Sequence, residues 1–66
     1  MRMIIKIDMD NAAFDNSQGD EVARILGVVS RNIGLHKTID ETAYFPPLLD
    51  ANGNRCGTIK VVKETT

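Results

Sequence analysis

A chain of 66 residues makes one small domain, and a domain of that size hides only about 60% of its unfolded surface. Its single cysteine, Cys56, has no partner for an internal disulfide, and Cys56 with the single histidine, His36, is too small a set for a structural zinc site. The net charge of −1 lacks the basic balance of most nucleic-acid binders, and no apolar run reaches the roughly 20 residues of a membrane span.

Association or an economical core remains for so small a domain, and of the two a homo-oligomer, in the simplest case a dimer, is the expectation. The apolar start is too short and too charged for a signal peptide. With a lone cysteine, the chain reads as cytoplasmic. Its charges are uneven: residues 1–21 carry five acids against Arg2 and Lys6, and the remainder carries four acids against six bases.

Residues 1–8 alternate. Met1, Met3, Ile5 and Ile7 share one face, and Arg2, Lys6 and Asp8 share the other, which predicts a strand half-buried against a helix. Ile4 is the exception, an exposed apolar residue between two bases. Residues 8–19 form a polar connection with one apolar island, Ala12, Ala13 and Phe14. Phe14 is large enough to turn inward and plug the end of the core; an exposed aromatic for a partner is the competing reading.

Residues 19–35 hold the one clean helical stripe, in Val22, Ile25, Leu26, Val29 and Ile33. Ser17 with Asp20 approximates a capping box, and Asp20 and Glu21 suit the positive end of the helix dipole. The helix is therefore expected to start near Gln18, with Gly34 as its terminating glycine. Asp20 and Arg24 have i, i+4 spacing for an ion pair. Val28 stands apart, about 240° round from Val22. An extra valine on a polar face is ordinarily incidental, but here it offers apolar surface to a second subunit or a partner.

Residues 35–47 are the least regular. The T-x-x-E spacing of Thr38 and Glu41 allows a short helical turn. Pro46 and Pro47 bar regular hydrogen bonding, bias Phe45 towards extended geometry, and admit either isomer at Phe45–Pro46. Tyr44 and Phe45 either lid the open side of the core or meet a partner. Beyond them Asn52-Gly53 predicts a type I′ hairpin turn. Its return strand turns Ile59 and Val61 to the helix, and residues 64–66 are expected to fray.

The order strand, helix, strand, strand predicts an α+β domain with one helix on one face of a three-stranded sheet. The last strand, the longest and most β-branched, takes the centre, antiparallel to both neighbours. Both edges are left open, and edge pairing into a six-stranded sheet and packing of sheet faces are both models for a dimer.

Few residues carry chemistry. His36 beside Lys37 reads as a solvated loop histidine, and Cys56 as a small buried or half-buried strand residue. Residues 50–54, DANGN, superficially resemble a calcium loop. An EF-hand needs Gly at position 6 and Glu at position 12, where this chain has Arg55 and Val61. No enzyme, cofactor or metal site is expected. The acidic stretch at Asp8 and Asp10 is the part that helix capping does not explain, and it suits a basic surface on another protein.

Three segments, DNAAF at 10–14, EVARIL at 21–26 and DANGNRCG at 50–57, resemble in the same order a group of short proteins encoded by bacteriophages and prophages. That group is functionally uncharacterised, so the resemblance implies a phage context in a bacterial host and a small α+β fold, and no activity. Residues 35–47 depart from its pattern. Small phage proteins often act on host macromolecules, an argument by association. The expectation is a non-enzymatic accessory protein that binds a host protein, for example as a counter-defence inhibitor of a nucleic-acid-acting complex. Its candidate contacts are Asp8, Asp10, Val28, Tyr44 and Phe45. The alternatives are an oligomeric nucleic-acid-binding module using Arg24, Arg31, Lys37, Arg55, Lys60 and Lys63, and an oligomer that sequesters a small ligand.

Overall fold

Arg2–Ile7, rich in β-branched residues, forms the first strand, β1. The structure, a computed structural model, describes residues 1–63, so the fraying expected of residues 64–66 lies outside it. After β1 come a single 3₁₀ turn (Ala12–Phe14), a helix α1 (Gln18–Gly34), a two-residue strand β2 (Leu48–Leu49) and a long strand β3 (Arg55–Val62). β3 lies in the middle, antiparallel to both neighbours. The expected α+β class and strand arrangement are therefore present.

Register decides which residues look at the helix. Ile5 lies opposite Ile59 and Met3 opposite Val61 on the inner face; Ile4 opposes Lys60 and Lys6 opposes Thr58 on the outer one. Phe14, Ile25, Val29, Phe45, Leu48, Cys56 and Ile59 make the core. Phe14 is 1% exposed and plugs the core as expected. It arrives there because Asn11 Oδ1 accepts the Ala13 N–H at 3.0 Å and caps the 3₁₀ turn.

The helical stripe is shifted from its expected position. Ile25 and Val29 are buried and Val22 and Ile33 pack against the core, but Leu26 is 42% exposed. α1 makes its close approaches to β2 and to the 3₁₀ turn, which rolls the helix towards β2 and lifts Leu26 off the core. At the helix start the Ser17 side chain makes no capping bond, so the expected capping box is not formed. At the other end Gly34 is still helical, and Leu35 and His36 close the helix by donating to Asn32 O and Ile33 O, a tightened last turn in place of a left-handed glycine.

Residues 38–41 form no helix. Asp40 uses its carboxylate to accept the Thr42 N–H and hydroxyl, and this local turn competes with helix initiation. Phe45–Pro46 is trans. The hairpin is present, but its turn is not type I′: only Gly53, at φ 82°, is left-handed. The Gly53 N–H donates to Asp50 O at 3.0 Å and the Asp50 N–H to Asn54 O at 2.9 Å, a type I turn followed by a left-handed glycine. Asp50 is the reason. Its Oδ1 accepts the N–H groups of Asn52 and Asn54 at 2.8 and 2.9 Å, holding Asn52 in the right-handed region.

Cys56 is buried at 3% exposure although alternation with Ile59 assigns it to the outer face. Leu48 opposes Gly57 and Leu49 opposes Arg55, so Cys56 is the additional residue of a β-bulge that turns its side chain into the core. At the neighbouring Gly57 the β1 backbone comes very close, and a Cβ there would lie 2.0 Å from Lys6 O.

Candidate functional site

Because α1 is rolled towards β2, its outer flank and the proline-bearing approach to β2 form two walls of a cleft. One wall carries Arg24, Val28 and Asn32, spaced i, i+4, i+8 on one line of the helix. The other is the strap of residues 46–51, with Pro46, Pro47, Leu48 and Leu49. The space between them is about 450 Å³, within the range of sites that take small molecules or anchoring side chains. Leu49 is 48% exposed at its mouth.

A polar clamp fixes the rim. Glu21, on the same column of the helix as Ile25 and Val29, is 7% exposed. Arg24 Nε donates to Glu21 Oε1 at 2.8 Å and Arg24 Nη2 to Oε2 at 3.0 Å, a two-point carboxylate–guanidinium pair. Arg24 Nη2 also donates to Leu49 O at 3.1 Å, and the Ala51 N–H donates to Glu21 Oε2 at 2.7 Å. The start of α1 is thereby tied to the hairpin loop. Arg24 has thus chosen Glu21 (i, i+3) over the expected Asp20.

The electrostatics follow. The Arg24 hydrogen bond, against the opposing effect of burial, holds the Glu21 carboxyl below its usual range, with the Ala51 N–H assisting. Arg24 is raised by the same pairing. Burial, with Asp50 and Glu21 nearby, pushes the Cys56 thiol up, so it stays neutral and unreactive at ordinary pH. At the polar end of the cleft stands Asp50, 4% exposed, with Oδ1 occupied by the turn and Oδ2 buried without a hydrogen bond. An unmet acceptor of this kind favours a donor from whatever settles nearby.

The expected contacts do not come together. Val28 lines the cleft. Asp8 and Asp10 are exposed on the segment leaving β1. Tyr44 is 74% exposed, whereas Phe45 is 7% exposed and stacks on His36 with ring centroids 4.7 Å apart. Phe45 is therefore a core residue and not a contact for a partner: the extended geometry imposed by Pro46 turns neighbouring side chains to opposite sides, sending Phe45 in and Tyr44 out. His36 is half-buried over it and not the solvated loop residue expected. No group of three or more His, Cys, Asp or Glu among the described residues is arranged to hold a metal, and Asp50 gives its Oδ1 to the turn that resembled a calcium loop.

No protein-family model, curated protein or solved structure matches this chain.

The six bases proposed for nucleic acid also separate: Arg24 is committed to Glu21, and Arg24 and Arg31 belong to α1 while Arg55 and Lys60 belong to β3. A different set gathers instead. Arg2 and Lys6 on β1 and Lys60 on β3 share the outer face of the sheet, all exposed. Sequence position hides this set, because its members come from opposite ends of the chain. No described helix is long and apolar enough to cross a membrane.

Proposed function

We propose that the chain is a non-enzymatic binding protein that takes an apolar segment of a partner protein into the cleft between α1 and the strap. Val28 carries this reading. It belongs to none of the core, yet the fold positions it opposite Pro46, Pro47 and Leu49, with the rim fixed by Glu21 and Arg24. A rigid rim around apolar walls reduces the ordering cost of binding. In the phage context of the resemblance the partner is a host protein and the compartment the host cytoplasm, with counter-defence inhibition as the role.

The test is affinity capture from host lysate with three forms: the wild type, Val28→Asp, and Asp8→Ala/Asp10→Ala, each checked for an unchanged thermal midpoint. The expected result is a partner held by the wild type and by the double variant and lost with Val28→Asp. Equal recovery with Val28→Asp refutes the cleft, and loss with the double variant alone transfers the function to the acidic segment.

A second reading rests on the outer sheet face, where Arg2, Lys6 and Lys60 gather with Thr58. This face suits phosphate, and a mobility shift that collapses as salt rises identifies it. Absence of a shift at low salt rejects it.

A further inference from the structure

We propose that β1 is the dimerisation strand: it pairs antiparallel with β1 of a second copy, in the register centred on Ile5. The two edges of the sheet are unlike. The β2 edge has two paired residues and follows Pro46 and Pro47, which cannot donate to an added strand. β1 has six residues and no proline, and among the described residues no strand covers its outer side. The Asp8 N–H donates to Cys56 O at 2.6 Å. By the alternation of an antiparallel ladder, even-numbered residues of β1 then bond β3, and Met3, Ile5 and Ile7 turn their N–H and C=O groups to the open edge.

The surface of the single chain is too large for its mass. Its accessible area is 4908 Å², whereas a compact monomer of 7.3 kDa exposes about 4,200 Å². That excess leaves room for an interface of standard size, in which each partner hides roughly 800 Å². The radius of gyration is 13.0 Å, against about 11 Å for a compact chain of this length. Two of the exposed large apolar side chains bear on the β1 edge. Ile5 is 39% exposed on the inner face of β1, and Leu26, 42% exposed, lies about 160° round α1 from Val28, away from the β2 wall.

Charge and the extent of β1 together select the register; centring on Ile7 would also set Lys6 opposite Asp8, but carries most of each strand past its partner's end at Ile7. A two-fold axis relating two antiparallel edge strands keeps both helices on one face, so odd residues oppose odd ones and even oppose even. Centring on Ile4 sets Arg2 against Lys6 of the second copy, twice. Centring on Lys6 sets the two Lys6 residues together. Centring on Met3 sets Arg2 opposite Ile4 and brings no acid opposite a base among the described residues. Centring on Ile5 places Arg2 opposite Asp8, Ile4 opposite Lys6, Met3 opposite Ile7 and Ile5 opposite itself. Every outward N–H and C=O of Met3, Ile5 and Ile7 is then bonded, no like charges stand directly opposite one another, and the two inner faces join into one apolar surface under two helices. Asp8, which capping left unexplained, acquires a partner.

Two measurements on the intact protein decide it: molar mass by analytical ultracentrifugation and amide exchange by NMR at the same concentration. A dimer whose Met3, Ile5 and Ile7 amides exchange as slowly as those of Ile4 and Lys6 is expected. Asp8→Lys, with its thermal midpoint checked, should weaken the dimer by about tenfold or more, and Arg2→Glu/Asp8→Lys should restore it. A monomer, a dimer with fast exchange at Met3, Ile5 and Ile7, or a dimer indifferent to Asp8→Lys overturns the proposal.

Discussion

Gly57→Ala should come close to unfolding the protein. The methyl group would stand 2.0 Å from Lys6 O, 3.0 Å from Lys6 C and 3.1 Å from Ile7 Cα, all backbone atoms of β1 that no side-chain rotation relieves. Since contacts below 3.0 Å do not occur at real Cβ atoms, β1 and β3 must part locally by about 1 Å. That breaks the Asp8–Cys56 bond, now 2.6 Å, and strains its neighbour. Two ladder bonds at about 1 kcal/mol each, with about 1–2 kcal/mol for a forced backbone shift, give about 3–4 kcal/mol. A domain of this length has about 3–10 kcal/mol in total. Urea unfolding followed by circular dichroism gives the difference directly, and a thermal midpoint lowered by about 15 °C or more is the companion signature. A loss below about 1 kcal/mol would refute the reasoning, because it would mean that the strands separate there at no cost.

Gly53→Ala is the milder companion: its φ of 82° is open to alanine only with strain and no neighbouring atom obstructs the methyl group, so a loss of about 1 kcal/mol in the same urea assay is expected. Glu21 sets part of the acid limb. Its folded carboxyl titrates below the usual range because of Arg24, so the stability it contributes is complete above that range and drains away as pH falls through its lowered folded value. Glu21→Gln should flatten the decline in midpoint between neutral and acid pH, and an unchanged slope would remove Glu21 as the cause. Cys56 is buried with its thiol pushed up, so alkylation of the native protein should be slow and should accelerate on adding urea; rapid native labelling would contradict the bulge that turns it inward.

Local patterns in the sequence carried the elements, and distant contacts carried the site. The start of α1 at Gln18, the inward turn of Phe14 and the hairpin around Gly53 each depend on a few adjacent residues, and each is present. Glu21 was legible only as a dipole partner. Its real function depends on the Ala51 N–H, 30 positions away, although an acid heading the column of Ile25 and Val29 was a signal that it lay against the core. Val28 was singled out by periodicity alone, but the wall it faces comes from residues 46–51, whose course the prolines made unreadable. Asp50 heads the DANGN stretch, and its two side-chain bonds change the turn type, which dipeptide statistics at Asn52-Gly53 do not register. The bulge at Cys56 shows no mark in the alternation of β3.

The pairing of Ile5 with Ile59 joins positions far apart in the chain, and this has a consequence for synthesis on the ribosome. β1 is made before β3, its only described neighbour in the sheet, so until β3 is made the strand has two bare edges. Non-local pairing of this sort forms slowly, and an unpaired apolar strand is where wrong associations begin. The charges at Arg2, Lys6 and Asp8 interrupt the run of methionine and isoleucine and act as gatekeepers while β1 waits. Replacing them with neutral residues would be felt first in the yield of soluble protein and only afterwards in the finished fold.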